Sequence, residues 1–320
     1  MKARTSVGMT KIVVDVTIIT EDRYVFDTTE PTDWYSKQVV EEDRLLFHAL
    51  ERHGLSVTRQ SWSSQSFDWS KTRTAIFRST WDYFDRLAEF NDWLSRVRSQ
   101  THLINSYDLI RWNLDKHYLN DLCERDVPVV PTSYRTHGST LDLASWCEKL
   151  GGDEWVLKPV VSGAAKNTFR FSKNTLQELD AKYRELIEQE DLMLQPFLTS
   201  IPHTGEVSIV VIGSNPTHAV LKKAKEGDFR VQDDFGGTVQ VYQPTSEELS
   251  VATRAVAACS PSPLYARVDL VRDNSDMIVV SELELIEPEL WFRTNSRAAD
   301  LLAQGVAEYL ESKTSSPVIC

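Results

Sequence analysis

Two short segments near the C-terminus, LYARVDLV (residues 264–271) and SELELIEP (residues 281–288), carry charged side chains at alternate positions. Successive side chains of a strand point to opposite faces, so Arg267 and Asp269 share one face while Ala266, Val268 and Leu270 share the other. Glu282 and Glu284 likewise share a face opposite Leu283 and Leu285. Between the segments, RDNSD (residues 272–276) has the polar composition of a turn. The pattern predicts an antiparallel hairpin. With the turn centred near Ser275 and Asp276, Asp269 lies opposite Glu282 and Arg267 opposite Glu284. Like charges directly across strands destabilise a sheet, and two carboxylates about 4 Å apart repel by roughly 4 kcal/mol at an effective dielectric near 20. A divalent cation removes that repulsion, and oxygen ligands without histidine or cysteine suit magnesium. The same residues also fit a solvated outer face on an amphipathic hairpin. The hairpin alone does not separate the two readings.

With 320 residues, 41% of them hydrophobic, the chain can bury the core of one large domain or of several smaller ones. Its 47 acidic and 35 basic residues give a formal charge of −12, which opposes general attraction to nucleic acid or anionic membrane. Any anionic ligand must therefore be held locally. Cys123, Cys147, Cys259 and Cys320 form no CxxC pair, which removes zinc-ribbon and thioredoxin-type readings and fits reduced thiols in a cytoplasm. The hydrophobic run over residues 12–19 is short and broken by Asp15 and Thr17, so neither a signal peptide nor a membrane span is expected.

The N-terminal part alternates strand-like and helical patterns. Strands are predicted over residues 12–19, 55–62, 75–77 and 102–104, and helices over 39–53, stopped at Gly54, and 84–98. Such alternation argues for a small parallel sheet. A further helix follows, with Asn113 as its cap and Leu114, Tyr118, Leu119 and Leu122 at helical spacing. From Trp155 onward strand patterns dominate, interrupted by a polar helix over about residues 175–189. The expected organisation is an N-terminal domain over residues 1–105, a smaller α+β lobe over 106–197 and a larger one over 198–320. A last amphipathic helix, over about 296–310, is expected to pack onto that larger lobe.

Several segments carry chemistry. WVLKPV (residues 155–160) places Lys158 in an otherwise apolar strand, where a buried charge costs several kcal/mol unless paired, so an anionic partner is expected; a surface lysine at a strand end is the more common explanation of such a pair with proline. The small residues that follow, including Ser162 and Gly163, let backbone approach phosphate as a covering loop would. Neither GxxxxGK[ST] nor GxGxxG occurs, so the Walker and Rossmann fingerprints are absent. LMLQPF (residues 192–197) is an apolar strand running into a break at Gln195, Pro196 and Phe197, where a flat ring could lie; for Leu192 and Leu194 individually core packing is the favoured reading. Residues 218–224 read as a strand bearing Lys222 and Lys223. Arg230 then precedes the pair Gly236-Gly237, which suits either an anion nest or an exposed turn.

In this order the segments resemble the ATP-grasp superfamily, in its glutathione-synthetase-like branch, over roughly residues 105–310. The resemblance implies an α/β N-terminal parallel-sheet domain followed by two α+β lobes enclosing ATP, with ATP and Mg2+ as cofactors. By position it makes Lys116, Lys158, Ser162, Gly163, Gln195, Pro196, Phe197, Glu206 and Lys222 the nucleotide contacts. Asp269, Glu282 and Glu284 become the magnesium ligands, with Glu284 standing where the family usually has asparagine. Arg267, Arg230 and Lys222 are implied in catalysis, and Arg230 with Gly236 and Gly237 next to the acyl group. RSTWDY (residues 78–83) and WNLDKHYL (residues 112–119) further resemble a subgroup containing the O-ureido-serine cyclo-ligase of cycloserine biosynthesis. There Arg78 would clamp a substrate carboxylate and Asp82 an ammonium, at a strand-to-loop mouth facing the nucleotide lobe; an interdomain salt bridge is the competing reading. The implied activity is ATP-dependent ligation of a small amino-acid-like carboxylate to a nucleophile, through an acyl phosphate, with release of ADP and phosphate. Alternatives are intramolecular cyclo-ligation of an O-ureido-serine-like amino acid, and a non-catalytic ATP-binding regulatory protein. Arg267 beside a full acidic set disfavours the last. Small molecules are the implied partners, and the resemblance also implies self-association.

Overall fold

The run VDVTIIT forms the first strand, β1 (Val14–Thr20), buried from Val16 onward as a strand inside a helix-covered parallel sheet must be. This computed structural model describes residues 14–25, 34–163, 165–225 and 236–314. Two compact units emerge: Met1–Tyr107 with Glu289–Cys320, and Asp108–Pro288. In the first unit β1 is followed by α1 (Trp34–Arg52), β2 (Val57–Ser61), β3 (Thr72–Phe77), α2 (Leu87–Val97) and β4 (His102–Ile104). The strands lie in the order β2-β1-β3-β4, all parallel. Gly54, at φ 76°, supplies the left-handed conformation that turns the chain out of α1. On α2, Phe90 and Trp93 meet Phe77 and Trp62 with ring centroids 5.2 to 6.3 Å apart. Such aromatic contacts lock helix to sheet.

The second unit begins with α3 (Tyr107–Asn113) and α4 (Tyr118–Glu124), then β5 (Ser133–Arg135), α5 (Leu143–Leu150), β6 (Glu154–Pro159), β7 (Phe169–Ser172), α6 (Leu176–Ile187) and β8 (Leu192–Pro196). β5, β8, β6 and β7 make an antiparallel sheet in that order. α5 and α6 cover it, packing Trp146, Cys147, Tyr183 and Leu186 onto Trp155, Leu157 and Leu194. The chain continues through α7 (Ile201–Thr204), β9 (Glu206–Ile212), β10 (Asn215–Lys223), β11 (Thr238–Tyr242), α8 (Ser246–Ala257), β12 (Tyr265–Arg272) and β13 (Ile278–Glu284). These five strands form a second antiparallel sheet, β11-β10-β9-β12-β13. α8 starts in a capping box of Thr245 and Glu248 and buries Val251, Ala252, Ala255 and Val256 in the core of that sheet. Among the described residues no helix is long and apolar enough to cross a membrane.

Two expectations are corrected. Asn113 is not a helix cap but the last residue of α3; its amide donates to Leu283 O at 2.8 Å and accepts from Leu285 N at 2.8 Å. A side-chain amide can serve a strand edge as readily as a helix end, because both present unpaired backbone groups. The closing helix, α9 (Ser296–Thr314), packs on α1 in the first unit and not on the preceding lobe. Its Ala298, Leu302, Ala303 and Val306 are buried, and Arg52 of α1 holds Asp300 at 2.6 Å. An amphipathic pattern shows that a face is covered but not by what.

Candidate active site

The β12–β13 hairpin has Asp269 opposite Glu282 and Arg267 opposite Glu284, as the alternation predicts. Beyond Asp269 the register shifts by one residue, so that Leu270 faces Val280 and Ser281 is the bulged residue. Bulges of this kind re-aim side chains next to functional sites. Ser281 Oγ donates to Asp269 O and to Glu206 Oε2, both at 3.0 Å. Asp269 is 1% exposed and Arg267 8%, which excludes the solvated-face reading of this strand.

One carboxylate oxygen each from Asp269, Glu282 and Glu284 can be chosen so that all lie within 4.8 Å of one another. Cations surround them. Arg267 donates from Nε to Asp269 Oδ1 at 2.9 Å and from Nη2 to Asp269 Oδ2 at 2.8 Å, and also to Glu284. Lys222 lies 2.5 Å from Glu206 and 3.0 Å from Asp269, and Ser208 Oγ donates to Asp269 at 2.6 Å. Lys116 lies 3.2 Å from Glu282 and donates to Ser162 O at 2.6 Å, tying the start of the predicted covering loop to the site. The side chain of Lys158 on β6 is half-buried and makes no direct ion pair or hydrogen bond among the described residues; Glu282 and Glu206 attract it only through space. Four acids (Glu206, Asp269, Glu282, Glu284) thus meet four bases (Lys116, Lys158, Lys222, Arg267).

Protonation follows from this mixture. Burial alone would raise the Asp269 carboxyl, but Arg267 and Lys222 outweigh it and hold it below the ordinary carboxylate range. Glu282 is also lowered, because Lys116 and Lys158 overcome its burial. Glu284 goes the other way: burial, reinforced by Glu282 and Asp269, pushes it up to about 8 against the pull of Arg267. Burial likewise raises Glu206 despite Lys222. Burial lowers Lys158, aided by the like charge of Lys116. Crowded oxygen donors, with one carboxyl resisting ionisation for want of positive charge, fit a magnesium ion.

Backbone placement supports these groups. Gly205, at φ 84°, lets the start of β9 pass the Lys222 carbonyl, which a Cβ would meet at 2.3 Å. Tyr118 Oη accepts from Leu283 N at 3.0 Å, and Tyr134 Oη donates to Lys116 O at 2.9 Å. At the break after β8, Gln195 Nε2 donates to Thr132 at 2.8 Å, Phe197 N donates to Glu154 O at 2.9 Å and Phe197 O accepts from Asn274 at 3.0 Å. The guanidinium of Arg170 lies 3.7 Å above the Phe197 ring. The second unit therefore gathers Lys116, Lys158, Glu206, Lys222, Arg267, Asp269, Glu282 and Glu284, with Ser162 tied in through Lys116. Ser208, Ser281, Asn113, Tyr118 and Tyr134 were not legible as site residues, since a lone hydroxyl or amide has no pattern until the fold supplies its partner. Arg230 lies outside the described residues, as does Ala164 of the covering loop; Gly236 has φ 82°.

Arg78 and Asp82 belong to the first unit, and no ion pair or hydrogen bond joins their side chains. Asp82 accepts from Trp62 Nε1 at 2.7 Å and from Arg86 Nη1 at 2.8 Å, so both its oxygens are engaged. The acid beside Arg78 is instead Asp43, at 3.8 Å.

Comparison with known proteins agrees with this geometry. The family described as RimK-like ATP-grasp domain matches residues 157–286, and the D-cycloserine synthetase DcsG N-terminal domain matches residues 16–105. The cycloserine biosynthesis protein DcsG of Streptomyces lavendulae is 31% identical over 281 residues, which is 83% of this chain and 93% of that protein. The crystal structure of D-cycloserine synthetase DcsG superposes with a TM-score of 0.81 at 27% identity, covering 92% of this chain and 99% of that one. At the level of fold alone, the ATP-grasp ligase PsnB, solved with a minimal precursor, Mg and ADP, gives a TM-score of 0.59 at 14% identity over 94% of this chain and all of PsnB. The acids and bases of the β12–β13 hairpin therefore sit within a match that spans most of the sequence, and the chain belongs to the ATP-grasp ligases, enzymes that couple ATP to formation of a carbon–nitrogen bond.

Proposed function

We propose that this protein activates the carboxylate of a small amino-acid-like acid with ATP and joins it to an amine or comparable nucleophile. The observation that carries this reading is the cluster of Asp269, Glu282 and Glu284, with oxygens within 4.8 Å, next to Lys222 and Arg267. A carboxylate oxygen of the acid attacks the γ-phosphorus of ATP and ADP leaves, giving an acyl phosphate. The nucleophile then attacks the acyl carbon, phosphate leaves with the electron pair, and the nucleophile's proton passes to phosphate or solvent. Magnesium held by Asp269, Glu282 and Glu284 would offset phosphate charge during transfer. Lys116 and Lys158 hold the phosphates, for which Lys116 exchanges its contact with Glu282. Lys222 and Arg267 stay pinned by Asp269 and so keep their positive charge aimed at the transferring group. Adenine lies against Gln195, Pro196 and Phe197 with Glu206 on the ribose side, and Arg230 with the Gly236 and Gly237 amides steadies the acyl group. Homo-oligomerisation and a cytoplasmic setting accompany this reading.

The test is a screen for ADP release over amino and dipeptide acids, with hydroxylamine present to trap the acyl phosphate as a hydroxamate. Acid-dependent, magnesium-dependent ADP release with hydroxamate supports ligation. Nucleotide binding with no acid-dependent release from any member would leave the regulatory ATP-binding reading. The likeness to DcsG over most of both chains favours a second form of the reaction, in which the acid carries its own nucleophile and closes a ring. Its mark is ADP release from an O-ureido-serine-like amino acid without any second substrate, giving a product lighter by one water.

A further inference from the structure

In the first unit Arg78 directly follows β3, at the carboxyl end of a parallel sheet, where open α/β sheets receive ligands. Its side chain is 3% exposed, yet Nε and Nη1 are buried without a hydrogen-bond partner among the described residues. The acid beside it, Asp43, is already taken: Asp43 Oδ2 accepts from Arg59 Nη2 at 2.5 Å and from Ser79 Oγ at 3.2 Å, while Arg78 Nε stays 3.8 Å from Oδ1. Two buried guanidiniums thus share one carboxylate, and only Arg59 has it at hydrogen-bonding distance. The neighbouring acid on α1, Glu42, is committed to the Phe292 and Arg293 amides at 2.7 and 3.1 Å and to the Arg293 guanidinium at 2.9 Å. Phe292 offers Arg78 only its ring, 5.6 Å from the guanidinium carbon. Two residues on, Thr80 is fully buried and its Oγ1 also has no partner.

Buried donors are almost always matched, and an unmatched charged group is the most costly kind of exception. At 3.8 Å the Arg78–Asp43 ion pair carries no hydrogen bond, so the guanidinium keeps unused donors. We infer that Arg78 is a carboxylate anchor, with Asp43 as its positioning residue, and that it receives a carboxylate of the amino-acid-like substrate. This rests on the ligase reading for what the acid is used for, but not for its binding. Asp82, committed to Trp62 and Arg86, stands outside the anchor.

The test is a thermal-shift titration of the full chain without nucleotide, using L- and D-α-amino acids, each paired with its carboxamide. At least one acid is expected to raise the melting temperature where its amide does not. Arg78→Lys keeps the charge but loses the two-pronged guanidinium, and should bind that acid roughly 10- to 100-fold more weakly while its shift with Mg-ATP is retained. Three results overturn the inference: no carboxylate-dependent shift in the unaltered protein, unchanged acid binding in Arg78→Lys, or equal loss of acid and Mg-ATP shifts, which would give Arg78 a role in the fold. Absence of the Mg-ATP shift from the unaltered protein would fault the ligase reading separately, since the acid titration contains no nucleotide.

Discussion

Of the four bases of the site, Lys158 is the one without a direct ion pair among the described residues, and so the one with most to gain from a phosphate. Lys158→Ala should weaken ATP by about 1.5 to 3 kcal/mol, the range of a charge-assisted contact, where loss of an exposed lysine would change it little. Calorimetry giving an unchanged affinity would remove Lys158 from the phosphate site. The two glutamates of β13 should respond unequally. Glu282 is held by Lys116 and Glu284 by Arg267. Glu282→Gln loses a charged oxygen ligand and should lower magnesium-supported turnover by roughly 10²-fold or more, as displaced phosphates would. Glu284→Asn installs the residue usual in the family and keeps an oxygen ligand, so turnover should stay within roughly 10-fold. Equal inactivation of both variants in steady-state assays would contradict the assignment.

At the scale of elements, the site depends on where strands are allowed to touch. Gly205→Ala would place a Cβ 2.3 Å from the Lys222 carbonyl at a backbone φ of 84°, so β9 and β10 must part there. The expected loss is about 1 to 3 kcal/mol of stability by denaturant unfolding, with weaker Mg-ATP binding because Lys222 is displaced. An unaltered midpoint would refute that placement. The β12–β13 hairpin was legible in the sequence because alternation fixes faces and the polar turn near Ser275 and Asp276 sets register, which places Asp269 opposite Glu282 and Arg267 opposite Glu284. The bulge at Ser281 was not, since one extra residue leaves the alternation on either side intact. Lys158 and Lys222 stand out as charges in apolar runs. Asn113 resembles a cap in the sequence because its real partners, Leu283 and Leu285, are distant along the chain. β9, β11 and α8 were not delimited; β9 is buried nearly throughout and so lacks the alternation that marks a half-exposed strand.

Across the whole molecule, the chain builds most of one unit, then the other, and returns to the first with α9. Leu302, with no exposure, should on truncation to alanine destabilise the first unit by about 2 to 5 kcal/mol while Mg-ATP affinity, which the proposed site assigns to residues 108–288, is kept. A matched fall in ATP affinity would show that the two properties are not separable. Isotope transfer tests most directly the proposed activation of the acid by transfer of a phosphoryl group to its carboxylate. With the substrate carboxylate labelled with oxygen-18, turnover should deliver a labelled oxygen atom to the released inorganic phosphate, alongside ADP. Label in AMP, or ligated product formed with unlabelled phosphate, would contradict the account.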